Sequence, residues 1–282
     1  MIMKKTVVII QVFLLLILVF SLQAQEPIVI LHTNDTHSQI EPFPDKDGSM
    51  VGGIYGRAAI IDQYRKDYKN VLLFDAGDFC QGTPYFNYFK GATEIKFMNL
   101  LGYQASALGN HEFDNGSRML AKVLKKAQFP IVCANYLFLD KQLQKIVKKY
   151  IVLEIDGKRI GVFGLLTDIK ALTSPQNYKD LKYLNAIDVA ECMVKELRET
   201  EKCDLVICLS HLGWNIGTKD NPDDKMLAAQ VKGIDVIVGG HSHSVIKEPD
   251  IVNGTLILQT GKKGQRIGVL TITKNLNSNT SN

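Results

Sequence analysis

The chain has 282 residues, with 46% apolar and 22% charged side chains. That is ordinary globular composition, long enough for one large core or two small ones, and it argues against intrinsic disorder except at the ends. Net charge is only +4, from 33 basic and 29 acidic residues. The two basic stretches, 122–128 and 145–150, have the spacing of solvated faces, so no nucleic-acid polymer is indicated as a partner.

In chain order, Lys4 and Lys5 precede the apolar run TVVIIQVFLLLILVF and then SLQAQEP, with the small residue Ala24 at the junction. This has the form of a secretory signal peptide and is short for a membrane span, which needs about 20 apolar residues. The expected division is a signal peptide over 1–24, one domain over 25–273 and a polar tail over 274–282. The expected location is outside the cytoplasm, in a periplasm-like compartment. An uncleaved signal segment would be the only membrane contact.

Short runs rich in Val, Ile and Leu follow at 28–35, 71–78, 105–112, 129–136, 159–167, 204–211, 235–243 and 255–261, and read as buried strands. Helical patterns lie at 56–68, 91–102, 117–127 and 186–200, and Asp223-Asp224 can open another that ends near Lys232. Strands alternating with helices predict an α/β protein. The segment 150–166, with Asp156-Gly157 at its centre, predicts a hairpin, so the sheet is mixed. Five cysteines, at 80, 133, 192, 203 and 208, include no C-x-x-C pair. They indicate neither a zinc ribbon nor a disulfide framework. Cys133 and Cys208 lie in apolar runs as core thiols, and Cys192–Cys203 is the one bridge left open.

Five of the eight predicted strands end in a metal-capable group. The first gives Asp35 and His37, the second Asp78, the third Asn110 and His111, the sixth His211, and the seventh His241 and His243. In open α/β sheets, sites form beyond the carboxyl ends of the strands. Any one loop histidine is more often a hydrogen-bonding group than a ligand, but five of the six here fall at strand ends. His32, inside the first strand, is the exception and is expected to be structural or to support a ligand from behind. Two carboxylates, one amide and four imidazoles make an oxygen and nitrogen shell, suited to Mn, Fe, Co, Ni or Zn. Seven donors are too many for one tetrahedral zinc. Shared between two divalent ions through one bridging carboxylate, they match the usual machinery for in-line displacement at phosphorus.

The blocks D-x-H (35–37), G-D-x-x-Q-G (77–82), G-N-H-E-F-D (109–114), S-H (210–211) and G-H-S-H (240–243) resemble, in this order, the five blocks of the calcineurin-like metallophosphoesterases. HTNDTH (32–37), GGIYGR (52–57) and GDFCQGTP (77–84) point more narrowly to the 5′-nucleotidase branch. The resemblance covers roughly 27–272. It implies a four-layer αββα sandwich with two mixed sheets. It also implies one metal held by Asp35, His37, Asp78 and His243, and a second by Asp78, Asn110, His211 and His241, with Asp78 bridging. His111, paired with Asp114, would be the catalytic dyad, and Asn110, His111 and His211 would meet the substrate. The implied reaction is hydrolysis of a phosphate ester, expected to be a nucleotide, by metal-activated hydroxide.

The residue types suit these roles. Asn110 binds a metal without adding negative charge, and an imidazolium at His111 can donate to a phosphoryl oxygen or protonate a leaving oxygen. Gly109 and Gly240 are expected to let backbone come close to the metals. Glu112 is expected to face away or bond backbone. Arg57 is read as a helix-start ion pair before a phosphate ligand, and Phe79, Tyr85, Phe86 and Tyr88 as packing. Relatives of this branch carry a second domain that binds the base, and this sequence stops near the expected end of the catalytic one. Three expectations follow: a stand-alone phosphoesterase, a catalytic subunit served by a separately encoded specificity domain, or an inactive metal- or nucleotide-binding protein.

Overall fold

The run IVILHT at Ile28–Thr33 is buried at every residue, as a strand covered on both faces must be. The computed structural model describes residues 26–273, so the signal segment and the polar tail read from the sequence lie outside the described residues. Ile28–Thr33 is second in a six-stranded sheet ordered Gly268–Ile272, Ile28–Thr33, Asn70–Asp75, Ala105–Ala107, Ile131–Val132, Val147–Lys148. Only the first pair is antiparallel. A second six-stranded sheet runs Asp250–Val252, Thr255–Leu258, Val236–Gly239, Leu205–His211, Lys158–Leu166, Tyr150–Ile155. Its two outer pairs are antiparallel and the inner ones parallel.

Alternate residues of each strand go to opposite faces, and this period of two builds the layers. Ile30, Leu72, Phe74 and Ala105 of the first sheet meet Val162, Ile207, Leu209 and Val238 of the second in a core between the sheets. Val29, Leu31 and Leu73 face outward, against Ile61, Ile95, Met98 and Leu124 of the helices Ile54–Asp67, Ala92–Leu101 and Ser117–Leu124. Phe163, Leu165, Val206 and Ile237 face the other way, onto Ala190, Met193 and Leu227 of Ala186–Lys195 and Asp224–Gln230. Each Leu, Ile or Phe so buried contributes about 1.5–3 kcal/mol. The result is the four-layer αββα arrangement. The sheets are tied by polar bonds as well: Ala134 N–H donates to Gly164 O at 2.8 Å, and the Asn135 amide bonds both backbone groups of Leu166, at 2.7 and 2.9 Å.

The hairpin forms as expected, with Asp156 and Gly157 at φ 50° and 74° joining Tyr150–Ile155 to Lys158–Leu166. Helix starts follow side-chain caps where the sequence offers them. Asn185 accepts from Ile187 and Asp188 N–H, and Asp223 accepts from Met226 N–H. The predicted 186–200 helix changes to a π-turn at Glu196–Thr200, and the one after Asp223 stops at Gln230. Predicted strands 105–112 and 129–136 shrink to Ala105–Ala107 and Ile131–Val132, because their later residues form the loops beyond the sheet. The short helices Pro84–Phe89 and Lys141–Ile146 and the half-exposed edge strand Gly268–Ile272 were not expected. All five cysteines are free thiols, so Cys192 and Cys203 do not pair. Among the described residues, no helix is long and apolar enough to cross a membrane.

Candidate metal and active site

The loops after Ile28–Thr33, Asn70–Asp75, Ala105–Ala107, Leu205–His211 and Val236–Gly239 converge at the same end of the two sheets. Three overlapping groups of ligand atoms result, each with its members within 4.8 Å of one another: Asp35, His37 and His243; His37, Asp78 and His111; Asp78, His211 and His241. Six of the seven residues read as metal ligands are thereby brought together, with His111 among them. Asn110, the seventh, is buried with its Oδ1 lacking any partner, and the next residue, His111, donates its backbone N–H to Asp78 Oδ1 at 2.9 Å.

The chain reaches this arrangement through unusual backbone. Asp35, His37, Asp78, His241 and His243 all have positive φ, between 46° and 71°. For residues with a Cβ, such conformations are uncommon and persist only where surrounding bonds over-determine them. Those bonds are present. Asp35 and His37 donate their N–H groups to Gly77 O and Asp78 O at 2.9 and 3.0 Å, and His241 N–H donates to Asp35 Oδ2 at 3.0 Å. Glycine supplies the remaining room. A Cβ on Gly109 would lie 2.2 Å from Asp78 Oδ1, and one on Gly240 would lie 2.8 Å from His211 Nδ1.

The donor atoms are aimed as metal ligands would be. His211 Nδ1 donates to Ala76 O at 2.7 Å, which leaves Nε2 facing Asp78 Oδ2 at 3.1 Å. His37 and His243 bring their Nε2 atoms to 3.0 Å of each other, and His243 Nε2 is 3.4 Å from Asp35 Oδ1. Two imidazole nitrogens face to face beside buried carboxylates are a donor set that a divalent cation would satisfy. The imidazoles differ in charge preference when no cation is among them. Burial and the charge of His211 lower the pKa of His241 to about 4, and burial lowers that of His37. Burial also opposes charge on His211, but Asp78 and Asp35 outweigh it and raise the pKa to about 10. Burial opposes ionisation of Asp78, and the surrounding imidazoles, led by His211, hold its pKa below the usual carboxylate range.

His111 Nδ1 bonds Asp114 Oδ2 at 2.8 Å, both half-buried, so Nε2 is the nitrogen left for another partner. Burial works against the imidazolium, but the bond to Asp114 and the charge of Asp78 overcome it and the pKa is raised. Asn177 steadies this pair by donating to the Asp114 carbonyl at 2.8 Å.

Other readings need adjustment. Glu112 does not face away: it is buried, and its carboxylate accepts from Asp78, Cys80 and Gly109 N–H at 2.9, 2.9 and 2.5 Å. It ties two ligand loops together, as the backbone-bonding alternative allowed. Among the described residues Arg57 forms no helix-start ion pair; it is buried and donates to Gln39 O at 2.9 Å. His32 is buried within the first strand, packed against Gly268, with its pKa lowered to about 4 by burial. Phe79 and Phe86 pack in the core, whereas Tyr88 is exposed and Tyr85 bonds Glu41 at 2.7 Å. Asn34 was missed. Its amide donates to Asp35 Oδ2 and Gly261 O, and its Oδ1 accepts from Thr260, which anchors Asp35 to a loop from the opposite end of the chain. Its place between His32 and Asp35 was the only signal for it.

The family model for calcineurin-like phosphoesterases matches residues 28–245, and the chain belongs to that family. It is 33% identical over 276 residues to the trifunctional nucleotide phosphoesterase protein of Bacillus subtilis, covering 86% of this chain and 18% of that one. It is 36% identical over 230 residues to the human 5′-nucleotidase, covering 78% of this chain and 38% of the relative. Among solved structures, the 5′-nucleotidase precursor from Thermus thermophilus superposes with a TM-score of 0.80 at 34% identity, covering 89% of this chain and 52% of that one. The chain thus spans about half or less of the length of these relatives.

Proposed function

We propose that this chain hydrolyses phosphate esters of the nucleotide class with the help of two divalent ions. The observation that carries the reading is the position of Asp78, whose carboxylate belongs at once to the group with His37 and His111 and to the group with His211 and His241. Asp35, His37, Asp78 and His243 would hold one ion, and Asp78, Asn110, His211 and His241 the other. Mn, Zn, Fe, Co and Ni all suit such a shell. When bound, the ions would lower the pKa of a water and neutralise the phosphoryl oxygens that gain charge.

The chain's own residues orient and move protons. Asn110 supplies a neutral donor, so the site adds no charge against an anionic substrate. Asp114 holds His111 Nδ1–H, turning Nε2–H toward the phosphoryl group. From there the imidazolium stabilises a non-bridging oxygen or hands its proton to the leaving alcohol as the ester P–O bond breaks. Asn110, His111 and His211 would line the substrate's phosphate. Glu112 holds the Asp78 and Gly109 backbones in register for both ions.

The nucleotide class is supported by the names of the relatives, which are nucleotide phosphoesterases and 5′-nucleotidases. A second reading assigns specificity to a separate domain, in line with the 38% of the human relative that the matched region covers. Export through a cleaved segment at 1–24 is also proposed, and N-terminal sequencing of the mature protein tests it.

The deciding experiment is turnover of a nucleoside monophosphate, a cyclic nucleotide, a nucleotide sugar and an aryl phosphate by Mn²⁺-loaded protein, with and without an added specificity domain. A preference for the nucleoside monophosphate supports the proposal. Nucleotide turnover that appears only with the added domain supports the second reading. No turnover of any substrate by protein holding two ions would mean an inactive binding protein.

A further inference from the structure

The loop that carries His241 and His243 is spanned by one side chain that belongs to none of the ligand groups. Gln259 directly follows the strand Thr255–Leu258 and is 1% exposed. Its amide nitrogen donates to Gly240 O at 2.8 Å. Its amide oxygen accepts from the Ser242 hydroxyl at 2.9 Å and from Ser244 N–H at 2.5 Å. One planar group thus reaches the residue before His241, the residue between the two histidines and the residue after His243. Backbone bonds hold the same segments together: Ile246 N–H donates to Gln259 O at 3.0 Å, and Gly261 N–H donates to Ser244 O at 2.8 Å.

The loop has a conformation that needs such a template. His241 and His243 both hold left-handed backbone, at φ 71° and 54°, which is uncommon for residues with a Cβ and persists where surrounding bonds over-determine it. Ser242 N–H turns back to Gly240 O at 2.9 Å, so this carbonyl receives one donor from inside the loop and one from Gln259. The position of the amide is itself set by the sheet. Thr255–Leu258 pairs in parallel with Val236–Gly239, the strand from which the histidine loop departs, with Leu258 opposite Val238. A primary amide suits the place, because it donates and accepts at once, where a carboxylate could only accept and an ammonium only donate. It is also neutral, and adds no charge beside the Asp35 and Asp78 carboxylates.

The two histidines serve different ligand groups. His243 stands with Asp35 and His37, and His241 with Asp78 and His211. A side chain that sets the backbone on both sides of each therefore acts on both groups. We propose that Gln259 is a positioning residue for His241 and His243 together, so that its amide sets the affinity of both ion sites. The role parallels that of Glu112 behind Asp78 and of Asn34 behind Asp35. It rests on the reading of both histidines as metal ligands, and on nothing about the substrate.

Two measurements test it. Calorimetric titration of metal-free protein with Mn²⁺ should show two sites in the native chain. Gln259→Met keeps the length and bulk of the side chain but removes its bonds, and should weaken both sites by about tenfold, the scale set by residues that orient a ligand. Gly157→Ala, in the hairpin away from the loop, is the control for a general loss of stability and should leave both affinities native. A lowered Tm in Gln259→Met with both affinities intact would make Gln259 merely structural and sink the proposal, and a loss confined to one site would refute the joint role. Crystal structures of the metal-free native and Gln259→Met proteins should differ over 240–244, with His241 or His243 leaving the left-handed region in the variant; an unchanged loop overturns the proposal. If Gln259→Met does not fold, Gln259→Asn, whose amide is one methylene too short to meet both ends of the loop, carries the same measurements and the same outcomes. Failure of the native chain to bind Mn²⁺ would instead count against the metal reading, and the paired crystal structures would still decide whether Gln259 sets the loop.

Discussion

Left-handed backbone occurs in two settings in this molecule, and the difference separates what a local sequence can specify from what it cannot. At the Asp156-Gly157 and Asn253-Gly254 turns, Asp or Asn takes φ 50° and glycine takes 74° or 85°. These residue types adopt that region readily, so the chain needs no outside help. At the opposite setting, His37, His241 and His243 take the same region at φ 46°, 71° and 54°, which is uncommon for any residue with a Cβ, histidine included. Their conformations are imposed by partners distant in sequence, such as the Asp35 carboxylate that accepts from His241 N–H. The turns are cheap and independent; the site is strained and collectively held. Perturbations at the two should therefore differ in kind.

Asp78→Asn should produce the largest effect. The carboxylate is shared by two of the ligand groups and faces His211 at 3.1 Å. Loss of its charge should empty both ion sites and lower turnover on the order of a hundredfold or more. Elemental analysis after dialysis is the direct check, and two retained ions would contradict the bridging role. Gly109→Ala comes next. Its Cβ would lie 2.2 Å from Asp78 Oδ1, and no flexible side-chain end can yield there, because Asp78 N is at 2.5 Å. The loop must move, so ion content and Tm should fall together. If the site were as tolerant as the hairpin turns, Tm would fall without any change in ion content.

Much of this site is legible in the sequence. Short continuous runs of Val, Ile and Leu mark where strands end, and the histidines and aspartates sit just beyond those ends, so Asp35, His37, Asp78, Asn110, His111, His211, His241 and His243 can be named before any coordinates. The hairpin is equally readable, since Asp-Gly carries its own conformational preference. What could not be read depends on partners that the sequence does not bring near. Glu112 could be read as an acid that bonds backbone, but the sequence does not say which backbone: the loop at 78–80, more than thirty residues earlier, delivers the N–H groups. Arg57 looks like a helix-start cation until the carbonyl of Gln39 meets it inside the protein. The helix Lys141–Ile146 was masked by its lysines, and the edge strand Gly268–Ile272 by an alternation only half covered.

Asp114→Asn should give a smaller and more specific change. The Asp114 bond is what most raises the pKa of His111 against its burial. With a raised pKa, the charged imidazolium is present at low pH and is lost as pH climbs through the folded-state value. Removing the carboxylate lowers that value, so the alkaline limb of the kcat profile should move to lower pH. Ion content should stay at the native level, because Asp114 belongs to none of the three ligand groups. An unshifted limb would mean that His111 does not act in its protonated form.

Gly157→Ala is the smallest expected effect and the sharpest control on the comparison. Nothing lies within 4 Å of the Cβ it would add, so the only cost is the left-handed backbone at φ 74°, about 1 kcal/mol for an L-residue. Tm should fall modestly, while ion content, kcat and KM stay at native values, because the hairpin lies apart from every ligand loop and its backbone is fixed by its own turn. A loss of ions or of turnover in this variant would show that strain at a remote turn reaches the site. The two settings would then no longer be independent, and the left-handed conformations of His37, His241 and His243 would have to be explained by the sandwich as a whole rather than by the bonds among the loops that carry them.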